Sequence, residues 1–191
     1  MGAFCALFLW MGACCAHFLF LEDNMNKKTR FLAQAGMIAA LYVVLTHLQN
    51  FVWPESTSFA IQFRLSEALC VLAVMTPAAI PGLTIGCLVY NLTYIGALPL
   101  DWLIGSAATL LAALSMWGLR KVTIKGYPLL AFLMPALWNA LLVGWELTVY
   151  IGDTFALNAV YVAIGEVTVL LILGTLLFFA LRKRHLEQKL F

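Results

Sequence analysis

The sequence predicts an all-α integral membrane protein, built as a six-transmembrane-helix bundle with both ends in the cytoplasm. Of its 191 residues, 64% are hydrophobic and only 10% are charged, whereas a soluble domain carries about 25% charged residues. The apolar runs are long, and a helix of about 20 residues crosses the hydrocarbon core with its backbone groups paired internally. The alternating ten-residue segments typical of an outer-membrane barrel are absent from the sequence.

Six apolar runs after Met25 each predict one helix. The second run is shorter than a full span, which favours a tilted or partly interfacial helix. In chain order, the predicted helices cover residues 31–51, 62–76, 79–96, 99–119, 128–150 and 158–181.

Polar residues mark the ends of these helices in turn. The basic segment before the first helix ends at Arg30, and Arg64 opens the second helix. Asn91 lies towards the outer end of the third helix, and Asp101 begins the fourth, where we predict a helix N-cap. Tyr150 closes the fifth helix at its outer end.

Lysine and arginine fall in three groups, which the positive-inside rule assigns to the cytoplasm. An even number of predicted spans separates each group from the next, so the charge pattern agrees with six helices. The predicted outer loops contain neither residue type. The groups are Lys27, Lys28 and Arg30; Arg120, Lys121 and Lys125; and Arg182, Lys183, Arg184 and Lys189.

The first 24 residues stand apart from this bundle. Residues 1–21 are apolar and long enough to span, but they lack the basic n-region of a signal peptide. Met25 begins a segment typical of a cytoplasmic start, so we favour residues 1–24 as an apolar upstream extension. The alternative is a seventh helix that enters from the outside. On either interpretation, residues 25–191 form a single six-helix membrane domain.

Three glutamates, Glu67, Glu146 and Glu166, lie inside apolar helices. A carboxylate in hydrocarbon costs a few kcal/mol or more, so such groups usually face a cavity and mark a substrate or ion path. The predicted topology puts all three in the outer half, with Glu166 about 12 Å below the outer end of its helix at 1.5 Å per residue. The cytoplasmic half has few polar groups, which predicts an outward-facing pocket and not a channel.

Helical spacing describes one wall of that pocket. Asn139, Glu146 and Tyr150 fall at i, i+7 and i+11 and share one stripe of the fifth helix, with Trp138 and Trp145 on the adjacent stripe. Acceptors beside flat aromatic surfaces suit a planar ligand with several N–H donors. The alternative is that Trp145 and Tyr150 belong to the interfacial aromatic belt.

Several candidate residues also have a structural interpretation. Arg64 and Glu67, at i and i+3, are spaced to pair with each other, and Glu146 is close enough to the outer end to snorkel to water. Glu166 has no basic neighbour on its own helix. The candidate substrate-binding residues are Arg64, Glu67, Asn91, Tyr94, Trp138, Asn139, Trp145, Glu146 and Glu166.

Small residues near the cytoplasmic end of the first helix form overlapping small-xxx-small patterns. Ala35 pairs with Ala39 and Gly36 with Ala40. Small residues let another helix approach closely within lipid. The pattern predicts either a docking face for a partner subunit or packing against another helix of the same chain.

Other classes of function lack their signatures. There is no phosphate-binding loop, HExxH or GxSxG motif, so an energised importer would need a separate ATPase. The five cysteines and three histidines lack the spacing of a metal site, and we predict no metal or cofactor. A net charge of +2 is too small to indicate nucleic-acid binding.

The combined motifs of the bundle resemble those of the QueT family over residues 25–184. The family comprises substrate-binding S-components of energy-coupling factor (ECF) transporters, associated with queuosine precursors. The motifs are Arg64-Leu-Ser-Glu67-Ala-Leu, Thr76-Pro-Ala-Ala-Ile-Pro-Gly-Leu83, Gly86-Cys87, Gly105-Ser-Ala-Ala-Thr-Leu110, Pro135-Ala-Leu-Trp-Asn139-Ala, Val143-Gly144 with Glu146, and Gly165-Glu166.

The resemblance implies a fold of the ECF S-component type in a prokaryotic plasma membrane. Outer loops would close a site near the outer face, and the protein would topple in the membrane while two cytoplasmic ATPases drive the cycle. The first-helix motif would dock the transmembrane coupling subunit, through Ala35 and Ala39 with Gly36 and Ala40 beside them.

The resemblance also implies a ligand of the 7-deazaguanine type. One carboxylate can accept the ring N–H and exocyclic amine of the guanine edge in a bidentate manner. We expect Glu146 or Glu166 there, another acid such as Glu67 near a cationic 7-substituent, and Asn139 on the carbonyl or a ring nitrogen. Trp138, Trp145 or Tyr94 would stack on the base.

Three alternatives stay open from the sequence. The first is an S-component for a different vitamin or nucleobase, since one fold serves many ligands. The second is a membrane-embedded enzyme with a glutamate base. The third is a structural membrane subunit without a ligand, which would leave three buried acids unexplained.

Overall fold

The computed structural model describes residues 26–53, 63–124 and 126–183. The predicted extension at residues 1–24 and the predicted outer loop at residues 54–61 lie outside the described residues. The division between extension and membrane domain therefore stays a prediction.

The regular secondary structure of the described residues is helical, and no strand forms among them. Each predicted apolar run contains a helix, and the ends differ from the predicted ones by a few residues. The all-α class is therefore confirmed. In chain order, the helices are α1 (Lys27–Val52), α2 (Leu65–Met75), α3 (Ala79–Thr93), α4 (Asp101–Leu119), α5 (Leu129–Tyr150) and α6 (Phe155–Lys183).

Four of these helices, α1, α4, α5 and α6, are long and apolar enough to cross a membrane. The short α2 was expected, but α3 is also short. Its 15 residues extend about 22 Å at 1.5 Å per residue, less than a hydrocarbon core of about 30 Å. The count of six spans and the side on which the termini lie stay predictions.

Three helices depart from regular α geometry. α2 begins as a 3-10 helix over Leu65–Val71. α5 is interrupted at Leu133, two residues before Pro135, whose missing N–H cannot continue the hydrogen-bond ladder. α6 contains a π-helical turn over Leu170–Gly174, directly after the turn that carries Glu166.

The 3-10 part of α2 lies at the centre of the bundle. It contacts α1, α3, α4 and α6, and residues 66–71 are all buried. Around it, the most extensive contacts join α1 to α3, α3 to α4, α4 to α5 and α5 to α6. A polar side chain on α2 is therefore enclosed by helices instead of facing lipid.

Two glycines of α3 allow α1 to pack closely against it. A methyl group at Gly82 would lie 2.8 Å from the carbonyl oxygen of Ala35, and one at Gly86 would lie 2.8 Å from Cβ of Tyr42. Both distances are shorter than Cβ contacts in proteins. Close approach through small residues is a common way for helices to associate in lipid.

This packing uses the small residues of α1 within the chain, and their predicted docking of a partner subunit stays a prediction. Ala35 is 5% exposed, and Ala39 is half-buried with its carbonyl oxygen against α3. Gly36 and Ala40 are exposed on the neighbouring face, and a methyl group at Gly36 would meet nothing within 4 Å. The two overlapping patterns therefore divide into an internal face and an outward face.

The half of the bundle near the C-terminus of α6 is filled by apolar side chains. Met116, Phe132, Leu170 and Phe178 are buried there, and the rings of Phe132 and Phe178 meet edge-on with centroids 5.7 Å apart. Among the described residues, no buried Asp, Glu, Lys or Arg lies in this half. The buried charges are gathered towards the opposite end.

Candidate functional site

Buried polar side chains converge towards the end of the bundle where α1, α3 and α5 end and α2, α4 and α6 begin. We call this set the polar cluster. Five helices contribute to it, and all of its members are at most 9% exposed. The cluster consists of Arg64 and Glu67 from α2 and its start, Asn91 from α3, Asp101 from α4, Asn139 and Glu146 from α5, and Glu166 from α6.

Arg64 is the one cation of the polar cluster, and it is only 7% exposed. Its guanidinium interacts electrostatically with Glu67 and Asp101, and also with Glu146 and Glu166. The sequence suggested a local pair between Arg64 and Glu67, whereas in the fold carboxylates from four helices act electrostatically on Arg64.

Glu67 accepts a hydrogen bond on each carboxylate oxygen from a side chain of the same chain. The Tyr42 hydroxyl donates to Oε1 at 2.6 Å, and the Cys70 thiol donates to Oε2 at 3.0 Å. Sequence reasoning missed Tyr42. The available signal was its place seven residues after Ala35, which puts it on the same face of α1.

Glu146 lies fully inside the bundle. Its exposure is 0%, so the interpretation that it snorkels to water is wrong. Among the described residues, no donor group hydrogen-bonds to Oε1 or Oε2, although the Asp101 carboxyl lies close enough to share a proton with Glu146. A buried carboxylate without a donor is costly, so Glu146 either shares a proton with Asp101 or takes a donor from a ligand, from water or from another part of the chain.

Glu166 and Asn139 meet across α5 and α6. Asn139 Nδ2 donates to Glu166 Oε1 at 2.8 Å, while Oε2 is buried without a partner in the described part of the chain. Because α6 begins at Phe155, earlier than predicted, Glu166 lies about 16 Å from the start of the helix at 1.5 Å per residue. Glu166 is therefore the deeper of the two incompletely bonded acids.

Asn91 and Asp101 connect α3 with the start of α4. Asn91 Nδ2 donates to the backbone oxygen of Asp101 at 2.8 Å, and Asn91 Oδ1 is buried with no partner among the described residues. The predicted N-cap role of Asp101 is wrong, since Leu100 occupies the N-cap position. The Asp101 carboxylate instead accepts the backbone N–H of Leu98 at 3.3 Å.

Two tyrosines form the aromatic side of the polar cluster. Tyr94 stacks on Tyr90 with ring centroids 5.5 Å apart, and the Arg64 guanidinium lies 5.9 Å from the centre of the Tyr90 ring. The sequence prediction included Tyr94 but missed Tyr90, which is buried four residues earlier on α3.

The tryptophans of α5 are not brought to the polar cluster. Trp145 is 51% exposed, as an aromatic-belt side chain would be, and Tyr150 is also exposed. Trp138 donates through Nε1 to Ser115 Oγ on α4 at 3.0 Å, towards the far end of that helix. The stripe that holds Asn139 and Glu146 faces inward, while the adjacent tryptophan stripe faces away from it.

The buried side-chain atoms without partners in the described residues share one chemical property. All are acceptor oxygens, which belong to Asn91, Glu146, Glu166 and Asn158. Asn158, at the start of α6, was not predicted; its amide donates to Thr148 Oγ1 at 3.2 Å. Within the described ranges, no group of three His, Cys, Asp or Glu side chains is arranged to hold a metal. The arrangement favours a ligand rich in hydrogen-bond donors.

Comparison with known proteins agrees with the motif resemblance. The family model described as QueT transporter matches residues 32–183, a range that contains the whole polar cluster. No curated protein and no solved structure shows significant similarity to the chain. The family implies transport of a small molecule by a multi-pass membrane protein, not an enzyme. Because the match covers well over half of its length, the chain belongs to the QueT transporter family.

Proposed function

We propose that the protein is the substrate-binding S-component of an ECF-type ATP-driven importer and binds a queuosine precursor of the 7-deazaguanine type. The polar cluster forms the binding site, in a pocket that opens to the outside. The observation that carries this proposal is the fully buried Glu146, whose two carboxylate oxygens lack donors among the described residues. A 7-deazaguanine supplies such donors as two adjacent N–H groups.

The side chains of the polar cluster match both the N–H donors and the carbonyl acceptor of the ligand. A bidentate contact with the guanine edge occupies both oxygens of Glu146, and charge-assisted hydrogen bonds of this kind are the strong ones. Glu166 Oε2 and Asn91 Oδ1 remain for the other N–H groups of the base or for a cationic substituent. Arg64 donates to the ligand carbonyl.

The contacts of the other candidate residues refine their proposed roles. Asn139 orients Glu166 through its 2.8 Å hydrogen bond, in place of the direct ligand contact that the sequence suggested. Tyr94, stacked on Tyr90, is the stacking residue that we retain. Trp138 and Trp145 are left out of the site.

The proposed transport cycle needs partner proteins. A transmembrane coupling subunit docks on the exposed face of α1 that contains Gly36 and Ala40, and two cytoplasmic ATPases supply the energy. The protein lies in a prokaryotic plasma membrane with both ends of the helical domain in the cytoplasm.

The proposal is tested by calorimetry with purified protein in detergent. We expect 7-aminomethyl-7-deazaguanine to bind more tightly than guanine. Glu146→Gln should weaken its binding at least about tenfold, since a hydrogen bond to a charged group contributes about 1.5–3 kcal/mol. Asp153→Asn is the matched control, because Asp153 is an exposed acid just beyond α5. No binding of the precursor, or equal affinity in Glu146→Gln and wild type, would refute the proposal.

A different vitamin or nucleobase is the second candidate ligand, because the acceptor oxygens fit any planar ligand with several N–H donors. A thermal-shift panel of vitamins and nucleobases separates the two. The largest stabilisation by a compound other than a 7-deazaguanine would favour this candidate. Membership of a transporter family sets aside the membrane-embedded enzyme.

A further inference from the structure

We infer that Asn158 is a further ligand-binding residue, whose side-chain oxygen accepts a hydrogen bond from a neutral N–H group of the ligand at the depth of Glu146. Asn158 was not among the residues that the sequence suggested. The identity of the ligand rests on the proposed function, whereas one measurement below uses the ligand-free protein and does not depend on it.

Asn158 is fully buried, and one of its two polar atoms has no hydrogen-bond partner. Its exposure is 0%. Nδ2 donates to Thr148 Oγ1 at 3.2 Å, whereas Oδ1 has no partner in the described part of the chain. An amide oxygen that is buried without a donor costs free energy, so the contact with Thr148 alone does not account for an asparagine at this position.

The orientation of the Asn158 amide is fixed by Thr148. A threonine hydroxyl has one proton to donate, and Thr148 donates it to the backbone oxygen of Gly144 at 2.9 Å. Towards Asn158, Thr148 Oγ1 can therefore only accept. The amide nitrogen of Asn158 must face Thr148, which leaves Oδ1 as the acceptor for another donor.

Contacts between α5 and α6 place Asn158 at the depth of Glu146. A methyl group at Gly144 would lie 3.0 Å from Cα of Ala159, and Thr148 bonds to Asn158. Glu146 lies midway between Gly144 and Thr148 along α5, so it is level with Asn158 and Ala159 on α6. Two buried side chains whose acceptor oxygens have no donor group among the described residues therefore lie at one depth.

Asn158 also lies on the face of α6 that carries Glu166. Asn158, Val162 and Glu166 fall at i, i+4 and i+8 and are at most 4% exposed. Asn158 is about 12 Å nearer to the start of α6 than Glu166, at 1.5 Å per residue. Between them, Val162 packs with Val143 of α5 in a buried apolar cluster. The acceptors of Asn158 and Glu146 are thus separated from Glu166 by apolar side chains.

The uncharged amide oxygen of Asn158 suits a neutral donor better than a cationic substituent. On a 7-deazaguanine, the 2-amino group has two N–H bonds, and the bidentate contact proposed for Glu146 uses one of them. The second N–H needs an acceptor at the same depth, which Asn158 Oδ1 supplies. Asn158 therefore selects ligands with a 2-amino group over ligands without one.

Calorimetry on the full-length protein tests this selection with two probes, 7-aminomethyl-7-deazaguanine and its analogue without the 2-amino group. Asn158→Leu should weaken binding of the first probe about fivefold, as expected for one neutral hydrogen bond, and change binding of the analogue less than twofold. Thr168→Val is the control on the same helix, because the Thr168 hydroxyl bonds only within α6, to the backbone oxygen of Ile164 at 2.7 Å. It should leave both affinities within twofold of wild type.

The melting temperature of the ligand-free protein gives a second readout. Leucine replaces an unpaired buried acceptor with an apolar group of similar size, so Asn158→Leu should keep or raise the melting temperature. A fall of several degrees would show that Asn158 serves the packing of α5 against α6, and would overturn the inference.

Equal losses of affinity for both probes, or unchanged affinity for both, would also overturn it. If wild type binds neither probe, the proposed function fails. The melting temperature of Asn158→Leu then decides whether the role of Asn158 is structural.

Discussion

Gly82→Ala tests the close contact between α1 and α3. The added methyl group would lie 2.8 Å from the Ala35 carbonyl oxygen and 2.9 Å from Ile38 Cβ. One of these atoms belongs to the backbone and the other is fixed to it, so relief requires the helices to separate. Overpacking of this kind costs about 1–3 kcal/mol. For a chain of this size, about 2–4 °C is lost per kcal/mol, so the melting temperature should fall by roughly 2–12 °C.

Gly118→Ala is the matched control for this measurement. Gly118 lies in α4, and a methyl group there would meet nothing within 4 Å, so the same chemical change should leave stability unchanged or slightly higher. Differential scanning fluorimetry of both variants in one detergent gives the comparison. Equal melting temperatures for Gly82→Ala and Gly118→Ala would refute the packing argument, and with it the assignment of Ala35 to the internal face.

Three further predictions concern the docking face and the site. Ala40→Leu should keep ligand affinity but abolish copurification with the coupling subunit, whereas Ala35→Leu should lower the melting temperature. Retained copurification of Ala40→Leu would contradict docking on the exposed face of α1. Glu166→Gln should weaken ligand binding at least about tenfold by calorimetry, and unchanged affinity would remove Glu166 from the site. Trp145→Ala should leave ligand affinity within twofold, because its side chain faces away from the polar cluster; a tenfold loss would return it to the site.

The helices were predictable because their signal is local. A run of apolar residues must form a helix in lipid to pair its backbone groups, and this holds whatever the neighbouring elements are. The inward stripe of α5 was predictable for the same reason, since the spacing of Asn139 and Glu146 depends only on helical geometry.

Contacts between helices could not be predicted in this way. From the sequence alone, Ala35 and Gly36 are equally good candidates for a close contact between helices, and only the position of α3 decides which of them is buried. Likewise, Tyr42 is an ordinary apolar-helix residue until α2 brings Glu67 within 2.6 Å of its hydroxyl. Glu67 and Glu146 are alike in the sequence, but packing gives one of them donors and leaves the other without any in the described residues.

The sequence by itself determined that this protein lies in a membrane, that it is helical and approximately where its helices end. It also determined which acids are costly to bury in hydrocarbon. These follow from composition and periodicity, because the energy of a charge in hydrocarbon and the pairing of a helical backbone are local properties. The tertiary structure alone decided which acid has protein donors, which small residues face outward and which aromatic rings reach Arg64. Those outcomes depend on distances between helices, and a close approach such as that at Gly82 arises only when both surfaces are in place.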